Sequence, residues 1–523
     1  MKSKRFLKIL FQSFSSTKIF QKHPIPSIKG LIIPNLHFNK ISSKPILSID
    51  KMSEGEFQVK LSEFENQIYL FWNEENYQDC LNLRLNEMQL KKSFYKTENY
   101  PGFSEDCCKI GVLYNELLND EKAISYFDEG LKKLTEDISN YAIMADIKHN
   151  KGISQMNLGN LGEAIILVEE AKSLKKKVYK SDEDYISLGV TCFNLGNMYA
   201  EAGMGERAIS NYEEAIELFK SGMEFNQKEC LVNLANTYEQ MGSLHFNMKN
   251  FEKAREIFEK TPQMFEESFG KTHILVVKSL CNAATTFLAL KDYKKAEEHL
   301  LKASKLIDKP TEMTWALYNM VNMLLARLEF QIGFPEKSKK YLEKVENTLN
   351  KFKIEDITQL HLFYLEQSQI LIGLEDYEAA FTSVKKCMDF NKKLFENEKK
   401  NLALPNIFMV YAKYFLYFKK DLQKANEFID QAYNKALEYF GESDEITAQL
   451  LKLQGTVAFQ QQKIGDAIEF LKKAEKIFEK NKETSLLDLA EIRNDLGLLL
   501  FENGDKENGL TFLKKGLESQ KEA

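Results

Sequence analysis

The side chains best suited to chemistry in this chain are few and badly placed for it. Adjacent thiols at Cys107 and Cys108, with an imidazole such as His149 further along, would suit a nucleophilic Cys–His pair. An activated thiolate needs an electropositive, accessible setting, and cysteines within a helical pattern usually serve as small packing residues. The run Gly270-Lys271-Thr272 resembles the end of a phosphate-binding loop. Such a loop also requires a glycine five positions earlier, where Phe265 stands, and a preceding strand. The seven histidines include no H-E-x-x-H pair and the seven cysteines no C-x-x-C, so neither common zinc ligand set is present. The sequence therefore predicts no catalytic residue, no cofactor and no metal, and a protein that is not an enzyme.

The elements that carry these residues explain their types better than catalysis does. In "FNLGNMYAEAGMGERAISNYEEAIELF", Phe193 to Phe219, the small residues Gly196 and Ala208 lie 12 positions apart on either side of a break at Gly203 and Gly205. A helix-interior glycine costs about 1 kcal/mol relative to alanine, and close approach of an antiparallel helix is a compensating reason. The same small-to-small spacing recurs at Gly111/Ala123, Gly152/Ala164, Gly242/Ala254, Ala284/Ala296, Gly455/Ala467 and Gly497/Gly509. Weaker copies stand at Ile68/Cys80, Ala326/Ser338, Ser368/Ala380 and Lys413/Ala425, giving eleven units with a period near 42 residues. Two helices per unit at a fixed period is the signature of a solenoid. Four residues beyond the second site the position is apolar throughout, except for Arg84 in the first unit, which reads as a cap. Three residues before it, Tyr77, Phe251, Tyr293, Tyr377, Leu422 and Ile464 mark the start of the second helix. The expected fold is an all-α, right-handed superhelical solenoid of eleven hairpins over residues 55–521.

The stretch from Phe269 to Ala303, "FGKTHILVVKSLCNAATTFLALKDYKKAEEHLLKA", is similar to the tetratricopeptide repeat family in its 42-residue, kinesin-light-chain-like variety. It matches that variety's interrepeat turn, Asn-bearing first helix and Tyr-x-x-Ala second helix. The heptad coiled coil of kinesin light chains has no counterpart before Glu54. The resemblance implies a wall of first helices that holds a partner's segment, and it directs attention to Asn150, Asn194 and Asn282, each two residues before the small site. Asn197 and Arg327, one residue after it, and Lys278, a turn before Asn282, complete the candidate partner-binding set. Tyr411, Tyr414 and Phe418 form an aromatic stripe, suited first to filling the core between neighbouring repeats and otherwise to a partner helix. The cations of "KSLKKKVYK", Lys172 to Lys180, read as the polar end of a second helix.

Charge is divided unevenly. Residues 1–51 hold ten Lys/Arg and one acid, Asp50, which leaves 61 of the 71 bases and 76 of the 77 acids in the remainder. An acidic body is a poor partner for phosphate backbones, so no nucleic-acid partner is expected. No apolar run approaches the roughly 20 residues that span a bilayer, so no stable membrane insertion is expected either. The opening segment sets Phe6, Leu7, Leu10, Phe11 and Phe14 on one helical arc opposite basic and polar residues, followed by four of the nine prolines. Basic, Ser-rich and acid-poor, it reads as a mitochondrial transit peptide, which would place the protein on the matrix side. Permanent attachment to a membrane surface, an ordinary tail, and translation from Met52 in the cytoplasm remain alternatives. The function expected is a non-catalytic adaptor or assembly factor binding a protein segment. Two alternatives stay open, a structural subunit of a larger mitochondrial or cytoskeletal complex and, below it, the scaffold of an enzyme or nucleotide-regulated switch. Oligomeric state is not specified by the sequence.

Overall fold

The computed structural model describes residues 52–178, 181–395, 401–480 and 482–522. The expectations for residues 1–51 lie outside them. The described residues are helical, without a strand, and they group into two units, one of residues 52–244 with 263–270, the other of residues 245–262 with 271–522.

The first unit begins with the hairpins α1 (Glu54–Asn73) and α2 (Tyr77–Tyr95), α3 (Phe103–Glu116) and α4 (Asp120–Leu131), α5 (Tyr141–Asn157) and α6 (Leu161–Val178), and α7 (Asp182–Glu201) and α8 (Gly205–Ser221). The division between units falls within α9 (Gln227–Asn247). Next come α10 (Phe251–Phe258), which belongs to the second unit, and α11 (Thr261–Phe269), most of which belongs to the first. The second unit continues with α12 (Ile274–Ala289) and α13 (Tyr293–Leu306), α14 (Trp315–Gln331) and α15 (Pro335–Lys351), and α16 (Ile357–Gly373) and α17 (Tyr377–Leu394). It ends with α18 (Leu404–Lys413) and α19 (Leu422–Phe440), α20 (Glu445–Gln460) and α21 (Ile464–Lys480), and α22 (Lys482–Glu502) and α23 (Lys506–Glu522).

One left-handed residue closes the first helix of every pair. Glu75, Leu118, Gly159, Gly203, Lys249, Lys291, Gly333, Glu375, Lys420, Gln462 and Gly504 all have positive φ, and each stands seven residues after a first site read from the sequence. The following amide then bonds a carbonyl five residues back, satisfying an acceptor that the helix end would leave unpaired. After five of these turns Asn119, Asp292, Asp376, Asp421 and Asp505 accept the backbone N–H three residues on, the usual capping contact at a helix start. The second helices begin at Tyr77, Phe251, Tyr293, Tyr377, Leu422 and Ile464, as their spacing predicts.

Glycine at the first site makes room for a side chain rather than for a turn. A Cβ on Gly196 would lie 2.6 Å from the Tyr212 ring, and one on Gly111 would lie 2.4 Å from Phe127. Gly152, Gly455 and Gly497 face Val168, Leu471 and Leu513 in the same way. The apolar residue four beyond the second site therefore lies against the first site. In the first hairpin Arg84 occupies that position, and its guanidinium is held by Glu65 and Glu87.

Three local expectations are corrected. Ala412, 0% exposed, shares a core cluster with Ala425, so it takes the small site assigned to Lys413. A π-helical turn over Tyr414–Lys419 inserts one residue, and the Asp421 amide accordingly reaches six residues back to Phe415 instead of five. Pro262 cannot sit inside a helix, so the second helix of the fifth hairpin stops at Phe258 and the separate α11 starts with proline in its first turn. Finally, Lys175 is not a solvated helix end. It is buried, paired with Asp146 at 3.0 Å and donating to Ser187 at 2.8 Å.

Candidate functional site

In the first unit the asparagines selected from sequence are engaged by their own array. Asn150 donates its amide to the Asp146 carbonyl at 2.8 Å. Asn194 Nδ2 faces His149 Nε2 at 3.2 Å, and Asn197 Oδ1 accepts the Tyr212 hydroxyl at 2.7 Å. Asn197 thus turns towards the second helix of its hairpin. Burial holds His149 neutral, its pKa lowered to about 3 with help from Lys175, and pushes the Cys108 thiol up to about 12. Those shifts oppose a thiolate–imidazolium pair. Gly270 adopts φ 91° in a turn and His273 caps α12 through Nδ1, so the Gly-Lys-Thr run lies between two repeats.

In the second unit, α12 and α14 are buried on most of their faces. Lys278 and Asn282 are buried within α12, and neither is free of partners. Tyr414 is buried and stacks on Phe381 at 4.1 Å, while Tyr411 stacks on Phe428 at 5.1 Å. Phe418 remains 43% exposed beside Tyr377 and Lys419. Arg327 makes a bidentate pair with Glu366 of α16, Nε to Oε1 at 2.7 Å and Nη2 to Oε2 at 2.5 Å.

That ion pair lines a cavity of about 170 Å³ formed mainly by α14, α15 and α16, with Thr285 of α12 and Asn406 of α18. Its walls include Met320, Met323, Leu324, Val345, Leu349 and Phe363, and its polar lining includes Gln359 and Gln369. Asn319 is 6% exposed and its Oδ1 has no hydrogen-bond partner. A buried acceptor without a donor costs about 1–3 kcal/mol, so its retention at this wall marks the cavity as a candidate binding site. Among the sequence-selected residues, Arg327 alone reaches it.

Asn319 is legible in a second register position of the repeat. Seven residues before the first site stand Ser104, Ala145, Gly189, Ala235, Ala448 and Ala490, small residues facing the second helix. Leu61, Val277, Asn319, His361 and Asn406 depart from that pattern. His361 Nε2 meets Asn391 Nδ2 at 3.0 Å, whereas Asn319 shares its cavity with Leu349, the corresponding residue of its own hairpin, which offers no polar group.

Together these features define an all-α array of repeated helical hairpins. Residues 190–221 and 233–309 match the tetratricopeptide repeat family, and the chain carries tetratricopeptide repeats. It is 28% identical over 124 residues to the Photosystem I assembly protein Ycf3 of Prochlorococcus marinus (strain NATL2A), a stretch covering 24% of this chain and 64% of that protein's length. The fold is similar to the apo form of RapI, with a TM-score of 0.53 and 17% identity over 73% of this chain and 99% of that one. A putative kinesin light chain of Podosopora anserina aligns with a TM-score of 0.34 and 14% identity over 40% of this chain and 96% of that one. Among the described residues no helix is long and apolar enough to cross a membrane.

Proposed function

We propose that this chain is a non-catalytic adaptor or assembly factor that holds a segment of a partner protein against the first helices of its second unit. The observation that carries this reading is the cavity beside Arg327, where apolar walls, a paired guanidinium and an unsatisfied carboxamide converge. An apolar pocket with a few placed polar groups suits one anchoring side chain, with the rim amides of Gln359 and Gln369 available to peptide backbone. The similarity to an assembly protein supports a role in building complexes. The test is a photoreactive benzoylphenylalanine at Gln369, with the exposed Lys340 of α15 as control. One partner segment should cross-link at Gln369 and not at Lys340. Equal labelling at both positions would count against the reading.

We further infer import into the mitochondrial matrix from the basic, acid-poor opening residues. A reporter fused after residue 55 should enter mitochondria, and Leu10→Glu with Phe14→Glu should keep it out by removing the apolar arc. Sequencing of the mature N-terminus discriminates further. A chain still beginning at Met1 would oppose cleavage, and one beginning at Met52 or Ser53 in the cytoplasm would favour internal translation.

A further inference from the structure

The hairpins of this array differ in what fills the space opposite the residue seven before the first site. In the α7–α8 hairpin that residue is Gly189, and the Phe219 ring lies so close that an added Cβ would stand 2.7 Å from it. In the α20–α21 hairpin Ala448 and Phe478 share one core cluster. The Phe219 ring of the chain itself thus fills this place in the first of these hairpins, and in the second Phe478 belongs to the same core as Ala448. The α14–α15 hairpin has Asn319 and Leu349 in the same register, and there the walls enclose a cavity of about 170 Å³.

We propose that this cavity takes the phenol ring of a tyrosine carried by the partner segment, its hydroxyl donating to Asn319 Oδ1. The inference rests on the adaptor reading and names its anchor. Three observations select the group. The cavity is close to the roughly 150 Å³ that accepts benzene in a protein interior, which favours a single ring over a fused one. Met320 and Met323 offer thioether sulfurs suited to an aromatic ring. Asn319 lines the cavity, and its Oδ1 is buried and unpartnered; turning the carboxamide about its soft terminal torsion presents that acceptor to a bound ring, and a tyrosine hydroxyl supplies the donor that phenylalanine or leucine lacks.

The test uses the full chain with 4-methylphenol and p-xylene, probes of nearly equal shape that differ by one hydroxyl, followed by ligand-detected NMR. Asn319→Leu removes the acceptor at similar volume and should lower the 4-methylphenol to p-xylene affinity ratio about tenfold, the expected size of one buried hydrogen bond. Leu349→Phe should supply the ring from within and abolish binding of both probes, with helical content unchanged. N-acetyltyrosinamide should compete with 4-methylphenol, and its exclusion would overturn a peptide-borne ring. An unchanged affinity ratio in Asn319→Leu, or no binding of either probe to the native chain, would overturn the proposal. Cross-linking at Gln369 separates the two readings. Labelling that persists unchanged in Leu349→Phe overturns the tyrosine anchor and leaves the adaptor reading standing, whereas absence of segment-specific labelling in the native chain removes both.

Discussion

At Gly196 a hydrogen atom does the work of a side chain. The buried Tyr212 ring lies within 2.6 Å of where a Cβ would sit, and its hydroxyl is fixed to Asn197. Gly196→Ala should therefore lower stability by about 1–3 kcal/mol through overpacking, read from urea denaturation. Gly162 in α6 has nothing within 4 Å of its added Cβ, so Gly162→Ala should be neutral or stabilising by up to about 1 kcal/mol. Equal effects from the two would remove the close-contact explanation. Histidines give a second prediction. The unfolded imidazole gains its proton near pH 6.5, but burial lowers the folded pKa of His149 to about 3 and of His361 to about 4. Below about pH 6.5 the unfolded state then binds more protons, so stability falls with falling pH by up to about 1.4 kcal/mol per pH unit for each histidine. The loss attributable to each ends near its folded value. Denaturation midpoints at about pH 7 and pH 5 should converge in His149→Gln relative to the native chain, and an unaltered difference would show that His149 does not drive it.

At the scale of the element, the helix ends are more costly than they need to be. Seven of the eleven left-handed turn residues are not glycine, and an L-residue in that region carries a penalty of roughly 1–2 kcal/mol. Leu118 is 70% exposed with φ 61°, so glycine there would sacrifice little burial. Leu118→Gly should raise the thermal midpoint, with a gain of about 1 kcal/mol after the entropy of the unfolded glycine is set against the relieved strain. A lowered midpoint would mean that the turn tolerates leucine without strain. The turns also show what the sequence made legible. Eleven hairpins followed from small residues because the 12-residue spacing reports a physical contact, and the positive-φ residues keep the same register. The π-turn after Lys413 escaped because an inserted residue leaves the downstream spacing intact while shifting the buried side chain to Ala412. The break at Pro262 was open to reading and was hidden by an unchanged repeat length. Arg327 emerged from its place beside the small site, but its pairing with Glu366, 39 residues away, depends on how two first helices lie together. Asn319 sat in a column where six of the eleven residues are small, and its polar side chain, like those of His361 and Asn406, was itself the signal.

For the molecule as a whole, the described residues include several local core clusters. One cluster joins residues from Ile68 to Leu113, another those from Met409 to Val457, and another those from Ala448 to Leu500, each drawn from neighbouring hairpins. Stability in such an array is close to a sum of repeat and nearest-neighbour contributions, so a defect should be felt mostly by the hairpins beside it. Gly196→Ala supplies a defect in α7 and α8, within the first unit. Native-state hydrogen exchange should then show lost protection in α7 and α8 and less in α5, α6 and the first half of α9. Amides of α14, α16 and α20 in the second unit should keep their native rates, because sub-global openings follow cooperative blocks rather than the entire chain. The protein should also depart from two-state behaviour in urea, with tyrosine fluorescence and helical circular dichroism giving different midpoints. Uniform acceleration of exchange across both units, with coincident midpoints, would instead establish one cooperative body. The measurement bears on the binding site as well: if the units open independently, a ligand seated beside Asn319 should protect the second unit and leave exchange in α7 and α8 unchanged.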